Sequence, residues 1–124
     1  MTEPINSYRD LRVWQDAMTL VQNCYVLTKG FPREEQFGLT AQIRRAATSV
    51  PANIAEGYGR DNSGTYIQFL RIAQGSLKEL ETHLLISERV SLTATSIIEP
   101  ILAQCDSVGR MLRSLIKSIE EKKR

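Results

Sequence analysis

The chain has 124 residues, 42% hydrophobic and 24% charged, with 16 basic against 14 acidic side chains and a net charge of +2. Such proportions fit one globular domain with a single core and exclude a disordered chain, while a charge so near neutral permits nucleic-acid contact without demanding it. The amino-terminal run MTEPINSYRDLRVWQDAM is acidic early and nowhere continuously apolar, so it reads as neither a signal peptide nor a membrane span and a cytoplasmic location is expected.

Four segments repeat apolar residues at steps of three and four, and none alternates as a strand does. The first, over about 9–29, carries two adjacent stripes: Leu11, Trp14, Met18, Val21 and Tyr25 on one, Val13, Ala17, Leu20, Cys24 and Leu27 on the other. One bundle core does not need so wide an apolar face, so the surplus is expected at a subunit interface.

The second helix, over about 37–57, turns Leu39, Ile43, Ala47, Val50 and Ile54 toward the core and leaves the small residues Ala41, Thr48, Ala52 and Ala55 on the opposite side. Pro51 lacks an amide hydrogen and crowds the carbonyl of Ala47, which predicts a kink. Val50 and Ile54 keep phase across it, so the helix is expected to continue, with Thr48 or Ser49 helping to satisfy the freed carbonyl. Gly57 fits the left-handed position that ends a helix, and Gly59 frees the turn before Arg60. The turn GYGRDNSG has neither the spacing nor the preceding strand of a dinucleotide or P-loop phosphate cradle, and it reads as a corner.

The third helix, over about 63–89, is capped by Asn62 or Ser63 and shows Tyr66, Leu70, Ala73, Leu77, Leu80 and Leu84 on one face. The fourth, over about 96–121, carries a heptad seam of Ile98, Ile101, Cys105, Val108, Leu112, Leu115 and Ile119, followed by a tail, KSIEEKKR, that reads as frayed and solvated. The links KGFPREEQ, GYGRDNS and VSLTATS are short enough to force antiparallel neighbours. The expected fold is an all-α, up-and-down four-helix bundle in one domain over residues 1–124.

The run QIRRAATSVPANIAEGYGR, continued by QFLRIAQGSLKELETHL and preceded by YRDLRVWQDAM, resembles the bacterial four helix bundle protein family, whose members were first noticed as products of intervening sequences in large-subunit ribosomal RNA genes. The resemblance covers most of the chain. It implies an antiparallel bundle assembling into a ring of five subunits. It also implies a relative in the accessory protein of diversity-generating retroelements, which uses that bundle and ring to bind a reverse transcriptase and nucleic acid.

Catalytic and metal constellations do not form on this sequence. Cys24 and Cys105 lie on apolar stripes outside any CxxC spacing and read as buried reduced thiols. His83 follows Lys78 by five residues, where the small helical ribonucleases of the HEPN type have arginine, and lysine cannot offer the bidentate fork to a scissile phosphate. His83 therefore reads as a partly exposed helix histidine. A diiron bundle needs two Glu-x-x-His motifs, and this chain has one histidine. No catalytic residue, metal ligand or cofactor is assigned.

The basic residues carry the functional expectation. Arg44 and Arg60 on and after the second helix, with Arg110, Arg113 and Lys117 on one flank of the fourth, are assigned to phosphate contact. Asp106, one turn before Arg110, is placed to pair with it. Arg45 and Glu56 project outward together, so Arg45 is assigned to an ion pair, and Arg45, Pro51, Glu56 and Gly57 are read as structural or interface residues. The leading reading is a non-enzymatic, ring-forming homo-oligomer, pentameric by the resemblance, that binds nucleic acid, structured RNA foremost and DNA second. The alternative is a protein-binding adaptor docking a partner such as a reverse transcriptase, and a ribonuclease stands third.

Overall fold

Three-four apolar spacing becomes four helices in the computed structural model: α1 (Arg12–Lys29), α2 (Leu39–Tyr58), α3 (Ser63–Arg89) and α4 (Thr95–Lys123). The structure describes residues 4–123; residues 1–3, where the amino-terminal run begins, and residue 124, the end of the basic tail, lie outside them. Among the described residues there is no strand, and no helix is long and apolar enough to cross a membrane.

Local chemistry sets the ends. Ser7 and Asp10 form a capping box, the Ser7 hydroxyl accepting from the Arg9 amide at 2.9 Å, which winds Tyr8–Asp10 into a 3-10 turn and delays α1 to Arg12. Glu35 accepts from the Leu39 amide at 3.0 Å, so α2 begins at Leu39 and leaves Phe37 in the turn, 89% exposed. Asn62 caps α3 by accepting from the Thr65 amide at 3.0 Å. The tail expected to fray is helical through Lys123.

The helices pack in a cycle, α1 and α3 each lying against both α2 and α4. Ser49 bonds Ser76 at 2.8 Å while Gly57 meets Tyr66 and Phe69, which runs α2 antiparallel to α3. Leu77 lies against Gly109 and Arg71 reaches Glu120, so α3 and α4 are antiparallel too. Each helix sends its expected stripe inward: Leu20 and Cys24 from α1, Ile43 and Val50 from α2, Leu77 and Leu84 from α3, Cys105 and Leu112 from α4 are all fully buried. Of the other α1 stripe, Leu11, Trp14 and Val21 are half-buried against the core, while Met18 and Tyr25 are 40% and 42% exposed.

Pro51 sits inside an uninterrupted α2 and is buried. Neither hydroxyl expected to serve the Ala47 carbonyl does so: Thr48 donates to the carbonyls of Arg44 and Arg45, and Ser49 bonds Ser76. Gly57 is a second correction. It lies within the helix, without a positive φ, and a Cβ there would stand 2.8 Å from the Phe69 Cβ and 3.0 Å from Tyr66. Its missing side chain lets α3 approach rather than letting α2 end.

Candidate nucleic-acid interface

The arginines of α2 are already occupied. Arg44 leans toward α1, donating from Nε to the Thr28 hydroxyl at 2.9 Å with its guanidinium 4.4 Å from the centre of the Tyr25 ring. Arg60 pairs with Glu56 at 2.9 Å and lies 5.1 Å from the centre of the Phe69 ring. Glu56 thus takes Arg60, not Arg45. Arg45, fully on the outer side, bonds Gln42 and has no carboxylate within ion-pair distance among the described residues. Within the chain, then, the two arginines assigned to phosphate already have partners, while Arg45, assigned to an ion pair that a neighbouring subunit could supply, keeps only Gln42 among the described residues.

The α4 flank is more open. Arg110 pairs with Asp106 one turn back, as their spacing anticipated. Arg113 and Lys117 are exposed, and no carboxylate lies within ion-pair distance of either among the described residues. Facing them on α3 are two cations that the sequence reading did not assign to phosphate contact. Arg71 crosses to Glu120 on α4 at 3.3 Å, and Lys78 pairs with Glu81 at 3.3 Å. The available signal was their spacing: residues seven apart return to the same side of a helix, so Arg71 and Lys78 flank the α3 core stripe together.

His83 does not complete a catalytic group with Lys78. Five residues at 100° each leave the two about 140° apart around α3, and Lys78 is turned to Glu81. The histidine is also more enclosed than expected. Both its ring nitrogens are buried without a hydrogen-bond partner among the described residues.

Cys24 and Cys105 are fully buried, unpaired thiols. Burial pushes both up to about 12 from an ordinary 9.0, so thiolate chemistry is suppressed near neutral pH. Among the described residues no cluster of three or more His, Cys, Asp or Glu could hold a metal ion.

Two of the apolar grooves among the described residues bear on assembly and docking. The first, about 310 Å³, lies between α1 and α2 and brings Trp14, Met18 and Val21 of the surplus stripe against Thr48, Ala52 and Ala55, with Pro51 between them. The second lies between α1 and the start of α4, where Val26 is 74% and Ile97 52% exposed.

The family model described as 23S rRNA-intervening sequence protein matches residues 9–114. Among solved structures the chain is similar to a protein of unknown function from the S23 ribosomal protein family of Bacteroides thetaiotaomicron VPI-5482, with 25% identity and a TM-score of 0.75. That likeness covers 85% of this chain and 98% of the other. No curated protein matches.

Proposed function

We propose that this chain, which belongs to the 23S rRNA-intervening sequence protein family, is a non-enzymatic cytoplasmic scaffold that assembles into a homo-oligomeric ring and binds nucleic acid through its phosphate backbone. The observation that carries the reading is the pair Arg113 and Lys117, exposed on one flank of α4 with no carboxylate in reach among the described residues. Structured RNA is the favoured ligand because the family takes its name from an intervening sequence of 23S rRNA.

Backbone contact suits a surface of arginine and lysine, which neutralises phosphate and releases counterions without reading bases. Repetition around a ring multiplies a weak face, since a polyanion touching several copies gains avidity without a strong single site. The surplus stripe of α1 and the small residues of α2 supply a surface for that assembly. A ring of five follows from the family resemblance alone.

Binding to unrelated RNAs and DNAs across a salt series tests the proposal. Affinity falling steeply with salt, and nearly equally across sequences, is the expected result. The second reading, an adaptor for a protein partner, draws on the exposed Val26 and Ile97 between α1 and α4. Absence of nucleic-acid binding even at low salt overturns the first reading and leaves the second.

A further inference from the structure

Resting on the nucleic-acid reading, we infer that the phosphate-binding face is built from two helices: Arg71 and Lys78 of α3 join Arg113 and Lys117 of α4, and neighbouring carboxylates stand in for phosphate until nucleic acid replaces them. The antiparallel register places these residues together. A Cβ on Gly109 would lie 3.4 Å from Leu77 and 3.8 Å from the Arg113 guanidinium, and one end of the seam is bridged by Arg71 and Glu120 at 3.3 Å. Residues 71 to 78 of α3 thus run opposite residues 109 to 120 of α4.

The four cations line one seam. Seven residues at 1.5 Å each separate Arg71 from Lys78 by about 10 Å along the axis, beyond the screening length of about 8 Å at physiological salt, so each meets its own stretch of phosphate backbone. Arg113 and Lys117 supply the uncompensated charge that draws a polyanion. Arg71 and Lys78 are held by Glu120 and Glu81, and beside them Arg110 is held by Asp106.

The Arg71–Glu120 and Arg110–Asp106 pairs stand open to exchange, while Glu81 beside Lys78 is more covered. Both side chains of the Arg71–Glu120 bridge are at least half exposed, at 57% and 50%, and an ion pair in water contributes little. A phosphodiester offers the arginine fork two oxygens, as a carboxylate does. Replacing Glu120 by phosphate therefore costs little at Arg71, and the unpaired cations set the direction.

The test uses a short fluorescein-labelled RNA duplex and the DNA duplex of the same sequence, titrated with the full chain at several KCl concentrations. Arg71→Gln with Lys78→Gln is expected to weaken binding and to flatten the log–log salt slope by nearly two units, at about 0.9 per phosphate contact. Glu120→Gln, which releases Arg71 and removes a negative charge, is expected to tighten binding severalfold; a purely structural ion pair predicts unchanged or weaker binding. Binding confined to one duplex identifies the backbone source, and the variants are then read on that duplex. If the natural chain binds neither duplex at low salt, the nucleic-acid reading itself falls. Should it bind with steep salt dependence while Arg71→Gln with Lys78→Gln keeps the same slope in a circular-dichroism-normal protein, the two-helix face is overturned and the α4 reading stands.

Discussion

Ser91 follows α3 with φ at 65°, a left-handed backbone that side chains with a Cβ disfavour. Its amide bonds the Glu88 carbonyl at 3.0 Å and the next amide, of Leu92, bonds the Ser87 carbonyl at 2.9 Å. This is the Schellman arrangement, which usually takes glycine at that position. Ser91→Gly is expected to stabilise the fold by about 0.5–1 kcal/mol, the relief of strain less the added freedom of the unfolded chain. Urea unfolding reads it as a higher midpoint at unchanged slope, and a lower midpoint contradicts the strain. Gly57 presents the converse case, because its φ is ordinary and its role is close packing against Phe69. A glycine near a helix end looks the same in sequence whether it serves a bend or a contact.

At the scale of elements, α1 and α4 meet through the Asn23–Gln104 bond at 3.0 Å, one residue from the buried thiols Cys24 and Cys105. Both thiols are raised from 9.0 to about 12, so the unfolded chain loses their protons first as pH rises. The stability due to keeping them neutral is whole below about pH 9 and is lost progressively toward pH 12. From about pH 8 to about pH 10 the two together are expected to remove about 3 kcal/mol, most of it above pH 9, where the slope for each thiol approaches about 1.4 kcal/mol per pH unit. Chemical denaturation at several pH values measures the slope, and Cys24→Ala with Cys105→Ala should flatten it. A slope unchanged in that double variant excludes the thiols as its source.

Element by element, what was legible depended on whether the signal was local. The buried stripes and helix number follow from spacing along the chain, and Leu70, Leu77, Cys105 and Leu112 are buried as the spacing anticipated. Arg44 and Arg45 show the limit. Their positions around α2 follow from 100° per residue, yet the flank holding Arg44 faces Thr28 and Tyr25 of α1, sixteen or more residues earlier in the chain. The α3–α4 face was hidden for the same reason. Arg71 and Glu120 are 49 residues apart, and only the packed register brings them together.

The whole molecule presents two chemically different surfaces: cations along the α3–α4 seam and apolar side chains in the α1–α2 groove. That groove joins the two features that point to assembly, since Trp14, Met18 and Val21 form one wall and Ala52 and Ala55 the other. A second copy seated there would remove half-exposed apolar surface from water, and the small α2 side chains let its backbone approach. Ala52 is exposed in the single chain, so a carboxylate there costs the monomer little. In an assembled interface the same carboxylate is desolvated without a partner. Ala52→Glu is therefore expected to leave helical content and thermal unfolding near those of the natural chain while breaking the assembly toward the 14.0 kDa monomer. Val26→Glu, on the α1–α4 side and 74% exposed, should leave the assembly intact. Sedimentation equilibrium separates the outcomes. A natural chain that sediments as a stable monomer at micromolar concentration sinks the ring, and a full-sized Ala52→Glu assembly moves the interface off this groove.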